Sequence, residues 1–226
     1  MERNAFVTAA VVAFAHRAIE ERDTEALARA AVAQVAAILP ADETELLTID
    51  RLSRRFRLAA SVPPRAGDDD TFPIDDDSLA AEAYESRGVV ARALEVPGDR
   101  RHVERGLRFG VAGITATSES VCVLSAFARE RPFGAEESAA LEMIGVLYGA
   151  AAARCETEER LADRERRLRL ILEQLPAIVS TLDRELVFTS IQGAGLAELP
   201  ADAPLRVGLT LAEVVGSSTG PAHAAM

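Results

Sequence analysis

The chain reads as a mixed α+β protein, with two amphipathic N-terminal helices, a set of short strands, and one helix far longer than any other element. Three observations predict this. Apolar residues recur at helical spacing over residues 5–21 and 25–39 (Val7, Val11, Phe14 and Ala18; Leu27, Ala31, Val35 and Ile38). Residues 109–116 and 120–129 read as adjacent strands of β-branched and small apolar residues. From Ala135 no helix breaker occurs until Pro176, a run of roughly 60 Å at about 1.5 Å per residue.

The remaining elements follow in order. Asp23 and Thr24 break the first helix and cap the second, which Pro40 ends. Residues 45–50 and 56–62 alternate Leu47, Ile49, Phe56, Leu58 and Ala60 with polar neighbours, the pattern of a hairpin. After Pro63-Pro64 the stretch RAGDDDTFPIDDD reads as a loop. Ser78 then caps a short helix to about Ser86, Gly88 closes it, a brief strand covers 89–91, and 98–101 is a turn.

In the long helix, Glu136 and Glu137 occupy the first turn, where the helix dipole favours anions. Leu141, Ile144, Leu147 and Ala151 form one apolar stripe. Charge dominates its second half, with Glu156/Arg160, Asp163/Arg167 and Glu165/Arg169 at i,i+4 spacing. Leu147, Leu161, Leu168 and Leu175 recur at multiples of seven, interrupted by Arg154. A narrow seam on a charged helix requires a partner helix, so a homodimer is expected through Leu141, Ile144, Leu147, Leu161, Leu168 and Leu175. After Pro176, residues 178–182 and 186–190 read as strands around an Asp183-Arg184 turn. Helical turns follow at 193–199 and 209–215, with a fraying tail from Gly216.

Composition narrows the function. A net charge of −11 and a pI near 4.9 repel a phosphate backbone, so nucleic acid is not an expected partner. Every basic residue is Arg, which removes lysine-dependent phosphate and Schiff-base chemistry. Cys122 and Cys155 sit in no metal-ligand spacing and fit a reducing cytoplasm. Arg3 and the apolar run 5–15 mimic a short signal peptide, but helical periodicity continues past the cleavage point, which favours a helix. No run approaches the ~18 apolar residues of a membrane span.

Residues 23–154 resemble a GAF domain. The resemblance rests on the order helix, two strands, loop with a short helix, then GLRFGVAGITA, ESVCVLSAFA, RPFGAEE and a closing helix; its most specific part is Arg131, Pro132 and Phe133, followed by Glu136, Glu137, Leu141 and Leu147. This resemblance implies a central antiparallel sheet with helices on both faces, and a small-molecule pocket on one face beneath residues 63–105. The residues it assigns to that pocket are Phe72, Tyr84, Arg92, His102, Phe109, Val111 and Ser125; the ligand itself is unknown. Residues 165–216, through LPAIVSTLDRELVF, resemble the opening half of a PAS domain, implying a piece of a longer signalling protein whose residues 176–226 are expected either to be poorly ordered or to borrow contacts from a partner chain. The expected organisation is an N-terminal helix over 1–22, a GAF-like sensory domain over 23–153, a coiled-coil-like linker over 154–175, and an incomplete PAS-like segment over 176–226.

The expected function is therefore a cytoplasmic sensory module of a bacterial signal-transduction protein, such as a two-component system, with any catalytic output outside this chain. Other constellations point elsewhere and are weaker. Asp68, Asp69, Asp70, Asp75, Asp76 and Asp77 fail the EF-hand pattern, since Pro73 and Leu79 fall where Gly and Glu are needed. His16, His102 and His223 are unrelated to one another and suggest neither a metal site nor a catalytic triad. Arg92, Arg100, Arg101 and Arg105 cluster where a pocket lid would lie, a candidate site for an anion. Gly106, Gly110 and Gly113 lack phosphate-loop spacing. Two rival readings remain: a thiol redox enzyme using Cys122, and a ligand-free dimerisation scaffold whose cavity is filled by Phe56, Phe72, Tyr84 and Phe109.

Overall fold

A computed structural model describes residues 2–50, 52–65, 71–74, 77–174, 176–199 and 203–218. The chain divides into two units, Met1–Glu159 and Arg160–Met226. Of the acidic cluster only Asp77 falls within the described residues; Leu175 and His223 lie outside them.

The first unit contains helix α1 (Glu2–Glu20), α2 (Thr24–Ile38), strands β1 (Glu43–Asp50), β2 (Arg55–Val62) and β3 (Thr71–Pro73), helix α3 (Leu79–Ser86), β4 (Val89–Ala93), a single turn α4 (Arg100–Val103), β5 (Phe109–Ala116) and β6 (Val121–Ala128). Helix α5 (Ala135–Gln174) follows, and the division between the units falls within it. The six strands form one sheet in the order β3-β2-β1-β6-β5-β4, with every neighbouring pair antiparallel.

Local chemistry explains the boundaries. Asp23 accepts a hydrogen bond from the Glu25 N–H (2.9 Å) and Ser78 from the Ala81 N–H (3.2 Å), each capping a helix whose first amides lack intrahelical partners. At the start of α5, Glu137 accepts from the Gly134 N–H (2.9 Å) and from Arg131 Nη2 (3.0 Å), while Phe133 is buried. The Arg-Pro-Phe-acid motif is thus a helix-start device, with a side chain three residues in reaching back to the cap.

One sheet face is covered by α1, α2 and the first half of α5. Val11, Phe14, Leu27, Val35, Leu141 and Ile144 pack there against Leu46, Val111, Cys122 and Leu124. Helix α1 therefore belongs to the core of this unit. Gly149 brings α5 against β5, because a Cβ there would stand 2.5 Å from both the Ala116 carbonyl oxygen and Thr115 Oγ1. The other face packs Leu47, Phe56, Ala112, Val123 and Phe127 beneath α3 and the segments flanking it. We call the described residues between 63 and 107 the lobe.

The expected dimer seam is corrected in part. Leu141 and Ile144 are buried in the unit's own core and Leu147 is half-buried against it, so the first half of α5 uses this stripe on the sheet. Leu161 and Leu168 are 58% and 60% exposed. The structure also adds β3 and α4, where loop and turn were expected. Phe72 pairs with Phe56 across the β2–β3 ladder, a tertiary contact that makes a strand of a Pro-containing segment at the sheet edge.

The second unit pairs β7 (Val179–Leu182) with β8 (Phe188–Gln192) in an antiparallel hairpin. Asp183 accepts from the Glu185 and Val187 N–H groups in its turn. A 3-10 turn (Ala194–Glu198) and helix α6 (Leu211–Ser218) follow, and Leu182, Leu186 and Val215 are exposed.

Candidate functional site

The lobe face of the sheet carries an unusual floor. Alternation along β1 and β6 directs Glu43, Glu45 and Leu47, and Val123, Ser125 and Phe127, towards the lobe; Glu45 lies opposite Ser125 in the ladder. Glu45 is fully buried and Glu43 nearly so. A buried carboxylate persists only when paired, and three arginines supply the pairing. Arg65 donates from Nη1 to Glu45 (3.0 Å) and from Nη2 to Glu43 (2.6 Å). Arg101 Nη2 donates to Glu45 (2.9 Å), and Arg105 Nε donates to Glu43 (3.0 Å).

Electrostatics follows from this arrangement. Burial raises the Glu45 carboxyl, but Arg101, His102 and Arg65 pull harder and hold it well below the ordinary carboxylate range. Burial pushes His102 below its usual value, Glu45 opposes the shift, and Arg101 and Arg105 reinforce it. The His102 ring stacks on Phe127 at 3.8 Å between centroids. Its Nε2 stands 3.4 Å from Glu45 Oε1, in ion-pair range. His102 Nδ1 and the fully buried Ser125 Oγ have no hydrogen-bond partner among the described residues, and Nε2 has the Glu45 carboxylate.

The aromatic side chains beside this cluster touch one another. Phe56 and Phe72 lie 5.1 Å apart, Tyr84 meets Phe56 edge-on at 6.4 Å, and the Arg101 guanidinium sits 3.6 Å above the Phe72 ring. Arg92 serves the lobe's own architecture. It donates to Glu82 (2.6 Å), Asp99 (2.7 Å) and the Asp77 carbonyl (3.1 Å), while buried Asp99 accepts from the Leu79 N–H that starts α3. A cleft of about 700 Å³ opens between Tyr84 and Arg87 at the end of α3, Ile114 and Val121 on the sheet, and Val146 of α5.

The structure therefore brings together Phe72, Tyr84, His102 and Ser125 on the lobe face, with Arg92 structural at its margin. Phe109 and Val111 are corrections. Val111 packs under the helices, whereas the intervening Gly110 faces Leu79 and Phe127, so Phe109 and Val111 point away from the lobe. Sequence reasoning missed Glu43, Glu45 and Arg65. The available signal was the same-face series Glu43, Glu45, Leu47, Ile49, which puts two carboxylates on the buried side of an apolar strand.

Cys122 lies on the helix side of the sheet beside a second cleft, of about 660 Å³, bordered by Thr24, Arg57, Ser120, Tyr148 and Glu156. Burial, with Glu156 adding to it, pushes the Cys122 thiol up to about 12. That is the opposite of the shift an attacking thiolate requires. No group of metal-ligating side chains occurs among the described residues, and no helix among them is long and apolar enough to cross a membrane.

Six antiparallel strands in this order, helices on one face and a lobe on the other, invite comparison with solved structures. The GAF domain of a phosphoenolpyruvate-protein phosphotransferase from Coxiella burnetii superposes with a TM-score of 0.58 at 14% identity, covering 68% of this chain and 96% of that one. The first unit has a GAF-like fold. The GAF domain of a two-component sensor histidine kinase from Bacillus halodurans gives a TM-score of 0.52 at 15% identity, covering 62% of this chain and 99% of that one. A free methionine-R-sulfoxide reductase from Neisseria meningitidis, solved with its substrate, gives 0.57 at 17% identity, covering 70% and 92%. Neither a protein-family model nor a curated protein sequence matches this chain. At these identities the GAF likeness describes the fold, and sensors and an enzyme share it.

Proposed function

We propose that the chain is the sensory and regulatory part of a bacterial signal-transduction protein, in which the GAF-like unit binds a small molecule under its lobe and α5 relays the bound state as part of a homodimer. The observation that carries this reading is the lobe-side floor, where His102 Nδ1 and Ser125 Oγ are buried without hydrogen-bond partners among the described residues. Buried polar atoms require partners, and a polar ligand would supply them between sheet and lobe. The lobe closes through side-chain pairs with the floor, so ligand contacts there would bias its packing. Helix α5 covers the opposite face and runs on to Gln174, which suits it as a relay. The exposed Leu161 and Leu168, seven residues apart, suit a helix–helix seam. The β7–β8 hairpin and α6 would belong to a PAS-like neighbour, the protein would work in the cytoplasm, and catalysis would reside in another part of the signalling protein.

A second reading is supported by the mutual packing of Phe56, Phe72 and Tyr84, which fills part of the lobe interior as a ligand-free scaffold would require. Native mass spectrometry of the purified chain separates the two. A dimer retaining a small molecule supports the sensor; an empty dimer, unchanged by cell extract, supports the scaffold; a monomer sinks the dimeric relay. The redox reading is disfavoured by the burial and raised pKa of Cys122.

A further inference from the structure

Arg154 occupies the place in the 147–161–168 series where a leucine is due, and the structure supplies a reason. Its Nη2 donates to the carbonyl oxygens of Ala18 (3.1 Å), in the last turn of α1, and of Glu21 (2.7 Å), the residue that follows the helix. The last carbonyls of a helix have no intrahelical donor and carry the negative end of its dipole, so a cation belongs there. A guanidinium can bridge two of them, whereas an apolar side chain offers neither donor nor charge. The neighbouring residues of α5 grip the same junction. Cys155 is buried with its Sγ 3.4 Å from the Glu21 carbonyl oxygen. Glu158 accepts from Arg154 Nη1 (3.3 Å) and pairs with Arg22, which adjoins the Asp23 cap of α2.

We propose that Arg154 is a positioning residue that locks α5 to the α1–α2 junction, so that displacement of α1 is transmitted to α5 just beyond its last sheet-covering turn. The proposal rests on the relay reading of α5. Residues 154, 155 and 158 lie on one helical turn after the buried Ala151 and Ala152 and before the exposed Leu161. A leucine at 154 would extend the apolar seam and abandon the Ala18 and Glu21 carbonyls. Arginine gives up seam contact and ties the start of the exit segment to the core.

Hydrogen exchange of the full chain tests this. Arg154→Gln should accelerate exchange over residues 18–23 roughly tenfold, the scale of one lost charge-assisted hydrogen bond, and leave the β5–β6 amides unchanged. The coupling test adds Phe14→Leu, a change within the buried face of α1. In the otherwise native chain it should accelerate exchange over residues 156–171; in the Arg154→Gln background that response should largely vanish. An equal response in both backgrounds, or unchanged exchange at 18–23 in Arg154→Gln, overturns the clamp alone. No response of 156–171 in the native background overturns both the clamp and the relay. If Arg154→Gln does not fold, Arg154→Lys takes its place with the same outcomes, because a single ammonium cannot reproduce the guanidinium's fork.

Discussion

Glu45 and Arg101 face each other at 2.9 Å across the sheet–lobe boundary, the carboxylate from the first half of β1 and the guanidinium from the one-turn helix α4. Arg101 also rests on Phe72, and Glu45 also holds Arg65. The lobe is thus fastened to the floor by pairs buried at the carboxylate end and partly solvated at the arginine end.

Removing the buried charge should be costly. Glu45→Gln keeps the volume but leaves Arg65 and Arg101 facing a neutral amide. We expect a loss of about 3 kcal/mol in urea denaturation, the low end for a broken buried pair because both arginines retain some solvent. A loss below about 1 kcal/mol would mean the cluster is not a fastening.

The same pair predicts an acid limb in stability. The folded Glu45 carboxyl lies below its unfolded value of 4.5, so its contribution is complete above that pH and fades as pH falls beneath it. His102 is also depressed when folded, from 6.5. The unfolded chain therefore takes up the proton first, and stability begins to fall below about pH 6.5. Urea midpoints measured from pH 7.5 to about 2.5 should decline in two stages. His102→Gln should remove the upper stage and Glu45→Gln should flatten the lower.

The close approach of α5 to β5 predicts that Gly149→Ala destabilises the first unit by about 1–3 kcal/mol, since the added carbon meets backbone oxygen. Gly216→Ala in α6 of the second unit, whose Cβ meets no described atom within 4 Å, should change the thermal stability of the first unit by less than about 0.5 kcal/mol.

The two halves of the leucine series should separate under substitution. Leu168→Glu, at an exposed position, should convert a dimer to a monomer in light scattering with little effect on the melting of the first unit. Leu141→Glu should abolish folding of that unit, because it buries a charge in the sheet-covering core. A chain that stays dimeric with Leu161→Glu and Leu168→Glu combined would move the interface elsewhere.

Cys122 and Cys155, both buried, should resist iodoacetamide in the native chain and react once urea unfolds it. Rapid native labelling of Cys122 would revive the redox reading.

Much of this architecture is legible in the residue order, because periodicity and capping act locally. The stripes of α1 and α2, the caps at Asp23 and Ser78, the β5–β6 pair and the unbroken run of α5 all follow from neighbours within a few residues. Strand facing in the buried sheet is not local. Phe109, Val111 and Ala112 are all apolar in a strand covered on both sides, so alternation gives no hint of which face belongs to the lobe. The helices packing on Val111 decide it.

The sequence alone settled the mixed α+β class, the long α5 and the net acidic charge, since these depend on composition and short-range pattern. Only the tertiary structure decided that Glu43 and Glu45 are interior, because Arg65 and Arg101 lie 20 and 56 residues from Glu45 along the chain and meet it only when the lobe folds over β1. It likewise decided that Leu141 and Ile144 serve the core and that Arg154 serves α1. In each case the deciding partner is distant in sequence, and burial of charge or apolar surface depends on that partner's arrival.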